Sequence, residues 1–65
     1  MITVNGDTLP WHEGMTVRDV LTAKRYTFRM LVVRINGTLI PKTGFNTTVI
    51  PDGALVDVIH LISGG

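Results

Sequence analysis

The longest aliphatic stretch of the chain is LVDVIHLI, residues 55–62. Such a run of aliphatic and β-branched residues predicts a strand. The turn before it is Pro51-Asp52-Gly53, in which proline presets the backbone and glycine supplies a positive φ. The length and nearly continuous apolar character of the strand favour a central position in a sheet, with neighbouring strands on both edges.

A first hairpin is predicted at the beginning of the chain. Residues 1–5 alternate apolar and polar side chains and run into Asn5-Gly6, the residue pair preferred in a two-residue type I′ turn. Residues 8–11 form the return strand. Pro10 places that strand at the edge of the sheet, because proline has no N–H to donate to a further strand.

A second hairpin is predicted in the middle of the chain. Residues 31–35 read as a strand and run into Asn36-Gly37, which repeats the turn signal. The chain returns through residues 38–40, and Pro41 ends the return strand.

A short amphipathic helix is predicted between the two hairpins. Thr16 and Asp19 have the spacing of a capping box, in which each side chain binds the backbone N–H of the other residue. Val17, Val20 and Leu21 follow at the spacing of one helical face. The helix is expected to end near residue 24 or 25.

These elements predict an α+β chain with the β-grasp, or ubiquitin-like, fold. Residues 46–50 are expected to add one more short strand. The last strand would lie parallel beside the first, in a mixed sheet of four to five strands with the helix packed on one face, and the other face would stay open. We expect residues 1–62 to form one β-grasp domain and residues 63–65 a flexible C-terminal tail.

Composition narrows the class of protein. The 65-residue chain contains no cysteine, so disulfides and thiolate metal sites are excluded. Its net charge of +1, with dispersed Lys and Arg, argues against a nucleic-acid partner, and no apolar stretch approaches the length of a membrane span. We expect a cytoplasmic protein. The mean hydropathy of +0.33 is high for so small a domain. It is consistent with apolar side chains left outside the core for a partner, and equally with a tightly filled core and scattered aliphatic residues on the surface.

One exposed patch is predicted from the alternation of side chains along strands. Asp57 marks its side of the last strand as the outer side, which places Ile59 and Leu61 there as well. With Val32 on the neighbouring strand, they would form an aliphatic partner-binding patch, and Arg34 would be its polar rim. The alternative is a bulged strand in which the apolar residues belong to the core.

The chain ends in Ser63-Gly64-Gly65, which is the strongest indication of function. Glycine has no Cβ, so this end can lie extended in a narrow channel and present an unhindered carboxylate to another protein. The alternative is a frayed end composed of small residues.

Five motifs and the spacing between them resemble the ThiS family, the sulfur-carrier proteins of thiamine thiazole synthesis. They are TV at 16–17, VRING at 33–37, LIPK at 39–42, DG at 52–53 and GG at 64–65. The resemblance spans the whole chain. It departs at Ala54, where the family commonly has an acidic residue.

The resemblance implies a carrier and not an enzyme. A partner activating enzyme would adenylate the Gly65 carboxylate with ATP, and a persulfide sulfur donor would convert it to a thiocarboxylate. A thiazole synthase would then accept the sulfur. Activation is needed because a free carboxylate is a poor electrophile.

The chain shows no catalytic or metal-binding motif of its own. His12 and Glu13 begin like a metalloprotease signature, but Thr16 stands where the second histidine is required. His60 is interpreted as a structural or solvated histidine, with a contact to the adenylation site as the alternative. We therefore expect no catalytic residue, metal ion or cofactor.

Three other functions share this fold. A carrier for molybdopterin synthesis would use the same thiocarboxylate and a different acceptor, although such chains are usually longer. A β-grasp binding module would use no tail chemistry. A ubiquitin-like protein modifier would turn the same adenylate into an isopeptide bond.

Overall fold

A computed structural model describes residues 1–26 and 30–61 and shows a five-stranded mixed sheet with one helix. The elements in chain order are β1 (Ile2–Val4), β2 (Asp7–Leu9), α1 (Val17–Ala23), β3 (Leu31–Ile35), β4 (Thr38–Ile40), a 3₁₀ helix (Lys42–Gly44) and β5 (Leu55–His60). The strand order across the sheet is β2-β1-β5-β3-β4. This is the predicted β-grasp arrangement.

Strand β5 occupies the predicted central position. It runs parallel to β1, with Val4 opposite Val56, and antiparallel to β3, from Leu31 opposite His60 to Ile35 opposite Val56. The parallel pairing of the first and last strands is confirmed. The strand ends at His60, short of its predicted end at residue 62, which lies outside the described residues.

The two Asn-Gly turns have the same backbone conformation. The φ angles are 50° and 88° at Asn5 and Gly6, and 50° and 84° at Asn36 and Gly37. Two successive residues with positive φ define the type I′ turn, whose twist matches that of the strands it joins. Both hairpin predictions are therefore confirmed.

The capping box is also confirmed. The Thr16 hydroxyl accepts a hydrogen bond from the Asp19 N–H at 3.3 Å, and the Asp19 carboxylate accepts one from the Thr16 N–H at 3.0 Å. Val17, Val20 and Leu21 are buried, so the predicted face of α1 packs against the sheet.

The core lies between α1 and the inner face of the sheet. Its buried side chains are apolar and come from every part of the described chain: Ile2, Val4, Met15, Val17, Val20, Leu21, Val33, Ile35, Phe45, Ile50, Ala54, Val56 and Val58. Among the residues that the structure describes, no helix is long and apolar enough to cross a membrane.

The predicted strand at residues 46–50 is wrong. The segment follows the 3₁₀ helix Lys42–Gly44 and continues as a turn, in which the Thr48 N–H donates to the Gly44 carbonyl at 2.8 Å. Val49 alone of these five residues forms a bridge, an isolated one with Thr16.

The reason for this difference lies at the start of α1. The first N–H groups of a helix have no partner inside the helix. Here the carbonyls of Phe45 and Thr48 accept hydrogen bonds from the N–H groups of Arg18 at 2.8 Å and Val17 at 3.2 Å. The segment therefore completes the beginning of the helix, a tertiary role that its β-branched sequence does not reveal.

Candidate functional site

The outer face of the sheet, opposite α1, carries apolar side chains of β5. Val56 and Val58 point inward and are only 1% and 9% exposed, whereas Leu55 and Ile59 are 60% and 38% exposed. Residues of a strand alternate between the two faces, and this alternation confirms the predicted assignment of sides.

A cluster of apolar side chains lies on the outer face at the end of β5. Ile59 is directly opposite Val32 in the antiparallel register. The Leu61 N–H donates to the Met30 carbonyl at 3.0 Å, which continues the pairing one step beyond the two strands. Leu61 and Met30 are 45% and 53% exposed. We call Met30, Val32, Ile59 and Leu61 the terminal patch.

Polar and apolar residues border the terminal patch. Arg34 lies one row away from Val32 on β3 and is opposite Asp57 on one side and Leu39 on the other. All three side chains are exposed. Arg34 thus lies beside the terminal patch, where the sequence predicted a polar rim. Leu39 extends the exposed apolar surface toward the edge of the sheet.

The structure brings Val32, Arg34, Ile59 and Leu61 together on one face, as the sequence predicts. Sequence reasoning missed Met30, which it assigned to the connection before β3. Alternation from Arg34 and Val32 back to residue 30 is the signal that could have identified it.

The predicted tail residues Ser63, Gly64 and Gly65 lie outside the described residues. They follow β5 in the sequence, and Leu61 is the last residue described. The described part of the chain therefore ends within the terminal patch.

His60 lies on the opposite side of β5 from the terminal patch. It lines a cavity of about 140 Å³ together with Asn5, Tyr26, Leu31 and Val58. The cavity thus lies between residues of β3 and β5, the Asn5 turn and Tyr26. His60 is therefore separate from the apolar surface, although both are close to the end of β5.

The charged side chains of the described residues form no metal-binding group, and two of them form an ion pair. Within residues 1–26 and 30–61, no three metal-ligating side chains come together. Lys24 and Asp7 form an ion pair at 3.0 Å, and this hydrogen bond raises the pKa of the Lys24 ammonium above its usual value. The pair ties the end of α1 to β2.

Comparison with known proteins assigns the chain to a family. The family model for ThiS matches residues 1–65, which is the whole chain. The chain belongs to the ThiS family. The resemblance found in its motifs is thereby confirmed.

Solved structures of ThiS proteins have the same fold. The crystal structure of the thiamine biosynthesis protein ThiS from Geobacter metallireducens has a TM-score of 0.78 at 28% identity, over 98% of this chain and 97% of that one. A solution NMR structure of a thiamine biosynthesis protein from the same organism has a TM-score of 0.73 at 28% identity, over 98% and 86% of the two chains.

The chain also has a relative by sequence. The Porphyra purpurea protein called uncharacterized protein ycf40 is 28% identical over 64 residues, which are 98% of this chain and 90% of that protein. The similarity thus extends over nearly the full length of both.

Membership of the ThiS family indicates the type of protein. Members of the family are small sulfur carriers of thiamine biosynthesis, so this chain is a carrier and not an enzyme. The family also implies an activating enzyme and a thiazole synthase as the classes of partner.

Proposed function

We propose that Gly65 carries the sulfur as a C-terminal thiocarboxylate and delivers it for thiazole formation. The family match supports this proposal most directly, because it extends through Gly64 and Gly65. A Gly-Gly end also has no side chain that would hinder approach to a carboxylate.

The chemistry requires activation first. One carboxylate oxygen of Gly65 attacks the α-phosphate of ATP, and pyrophosphate leaves to give an acyl adenylate. The outer sulfur of a persulfide then attacks the carbonyl carbon, and AMP leaves. A thiol then attacks the donor-side sulfur of the acyl disulfide and breaks its S–S bond. The donor is left as a disulfide with that thiol, and the thiocarboxylate, a good sulfur nucleophile, is released.

In this proposal the carrier supplies geometry and its partners supply catalysis. The activating enzyme would hold ATP, and a persulfide-bearing protein would donate sulfur. The carrier contributes the reacting carboxylate, a narrow tail and a surface for docking. We expect these reactions to take place in the cytoplasm.

The terminal patch is the proposed docking surface for the activating enzyme and the thiazole synthase. Ile59 and Leu61 are large apolar residues with substantial exposure, and apolar anchors at the centre of an interface contribute most of its binding energy. Arg34 at the border would orient the partner through its charge. Because the patch immediately precedes the tail, docking there would deliver the tail to the partner's active site.

Exchange of labelled pyrophosphate into ATP tests the activation step. With a cognate activating enzyme, the intact chain should support exchange, because adenylation of Gly65 is reversible. Deletion of Gly65 should abolish exchange, since the new carboxylate is one residue short of the α-phosphate. Gly64→Val should also abolish it, because a β-branched side chain does not fit a channel shaped for glycine.

Ser63→Ala is the matched control for the tail. It changes a neighbouring small residue without adding bulk, so exchange should persist. Full exchange with the Gly65-deleted chain would contradict the carrier mechanism and would favour a β-grasp binding module.

A further inference from the structure

Asn5 lies where the pairing between β1 and β5 stops. The parallel register ends at Val4 opposite Val56, and the Asn5 N–H donates to the Val56 carbonyl at 3.0 Å. Asn5 then begins the turn to β2 with its φ of 50°, so its backbone leaves the sheet. Beyond this point the Asn5 side chain, and no longer the backbone of β1, forms the hydrogen bonds to β5.

The Asn5 amide binds both backbone groups of Val58. Its Oδ1 accepts a hydrogen bond from the Val58 N–H at 2.9 Å, and its Nδ2 donates to the Val58 carbonyl at 3.0 Å. Nδ2 also lies 3.3 Å from the Tyr26 hydroxyl, which accepts a hydrogen bond. In a hydrogen-bonded pair of an antiparallel sheet, each residue gives one N–H and one carbonyl to its partner. The Asn5 amide gives Val58 the same two groups, one donor and one acceptor.

Val58 directly precedes the residues of the terminal patch on β5. On its other side, β5 is held by β3, through Val32 opposite Ile59 and the bond from the Leu61 N–H to the Met30 carbonyl. The end of β5 is thus hydrogen-bonded to the backbone of β3 and Met30 along one edge and to the Asn5 side chain along the other.

We propose that Asn5 is a positioning residue for sulfur transfer: its amide holds the second half of β5 so that Ile59, Leu61 and the tail meet the activating enzyme in one arrangement. The proposal rests on the function proposed above. Asn5 acts through Val58 and is not itself in contact with the reacting carboxylate.

Asn36 provides an internal comparison. It has the same neighbour, Gly37, and the same φ of 50°. Its Oδ1 accepts a hydrogen bond from the Leu55 N–H at 2.9 Å, and its own N–H donates to the Leu55 carbonyl at 2.8 Å. The asparagines of two Asn-Gly turns with the same backbone conformation therefore hydrogen-bond β5. Asn5 binds Val58 in the half near the tail, and Asn36 binds Leu55 at the opposite end.

The test compares Asn5→Gly with Asn36→Gly. Glycine adopts a positive φ without strain, so each variant keeps its turn and loses only the side-chain bonds. In Asn5→Gly, hydrogen exchange at the Val58 and Leu61 amides should be about tenfold faster, the change expected for loss of a net hydrogen bond, with Leu55 unaffected. Asn36→Gly should accelerate exchange at Leu55 and leave the other two amides unchanged.

Kinetics with the carrier as the varied substrate complete the test. The end of a strand separates from its neighbours at a small free-energy cost. Without the Asn5 hydrogen bonds, the end of β5 should therefore be open for a sizeable fraction of the time, and the enzyme does not bind the open conformation. Asn5→Gly should therefore raise the KM for the carrier several-fold and leave kcat unchanged, whereas Asn36→Gly should keep the KM of the unmodified chain.

Equal KM values for the two variants would overturn the proposal, and so would unchanged exchange at Val58 and Leu61 in Asn5→Gly. If Asn5→Gly does not fold, Asn5→Asp keeps the acceptor for the Val58 N–H but loses the donor to its carbonyl, and the same two readouts apply. Failure of the unmodified chain to support pyrophosphate exchange would instead contradict the proposed function, while the amide pattern would still decide whether Asn5 holds β5.

Discussion

The two faces of the sheet bury their apolar side chains to very different extents. On the inner face, Val56 and Val58 pack beneath α1, whereas Leu55 and Ile59 on the outer face of the same strand, and Leu61 just after it, remain exposed. All five residues are of strongly apolar types. Burial within the domain accounts for the first group but not for the second, and we propose that Ile59 and Leu61, at the end of the outer face near the tail, contact another protein.

The inner face should respond most strongly to substitution. Leu21→Ala removes a buried side chain from the face of α1 that packs on the sheet and should lower the free energy of unfolding by about 2–5 kcal/mol. Such a loss is a large share of the stability of a small domain. Urea denaturation followed by circular dichroism measures it. An unchanged midpoint would show that Leu21 does not contribute to the core.

The outer face should respond in binding instead of stability. Ile59→Asp and Leu61→Asp should leave the fold intact and weaken binding to the activating enzyme by about 2 kcal/mol, because a charge would be desolvated in an apolar interface. Isothermal titration calorimetry gives the Kd, and thermal denaturation checks the fold.

Leu55→Asp is the matched control for this prediction. Leu55 lies on the same strand and the same face but at the opposite end, and it is more exposed than Ile59. Its substitution should leave Kd nearly unchanged. Unfolding of the Ile59 or Leu61 variant would assign that residue to the core, and equal weakening by all three variants would show that the interface is not confined to the terminal patch.

The capping box supports the helix that forms the inner layer, and its effect should be smaller. Thr16→Ala removes the hydroxyl that accepts a bond from the Asp19 N–H and should cost about 1 kcal/mol of stability. Thr22→Ala, within the exposed part of α1, serves as the control and should be neutral or slightly stabilising. Equal melting temperatures for the two variants would argue against a contribution from the cap.

The smallest effect is expected at the polar border of the outer face. Arg34→Ala should weaken binding to the activating enzyme by less than about 1 kcal/mol, mainly through slower association, because a rim charge stays partly solvated. Association rates measured at two salt concentrations test this. A large change in the dissociation rate would place Arg34 inside the interface and not at its border.

Local signals made most of the fold predictable. The Asn5-Gly6 and Asn36-Gly37 turns and the capping box each depend on residues that are close in sequence. Alternation along β5 then separated its two faces. By contrast, within residues 46–50 the Thr48 carbonyl accepts a hydrogen bond from the Val17 N–H of α1, which is distant in the sequence, and a β-branched pattern does not indicate such a contact.

The candidate site was also predictable in part: the sequence indicated its outer-face residues but not the contact that Asn5 makes with β5. Alternation placed Ile59, Leu61 and Val32 on one face, and the same alternation carried back to Met30, just before β3, would have added that residue. The contact between Asn5 and Val58 spans 53 positions and depends on where β1 leaves the sheet. Such contacts follow from the register of the strands, and the register becomes visible only once the sheet is assembled.

The central claim is that Gly65 carries sulfur, and the mass of the chain after reaction tests it most directly. Incubation with ATP, the activating enzyme and a persulfide donor should add the mass difference between sulfur and oxygen. Oxidation of one of the three methionines would add nearly the same mass, so fragmentation must locate the change and a reaction without ATP must lack it. The account predicts ATP-dependent sulfur on Gly65 in the intact chain and none in the chain that lacks Gly65. Sulfur at another residue, or equal gain by the shortened chain, would contradict it.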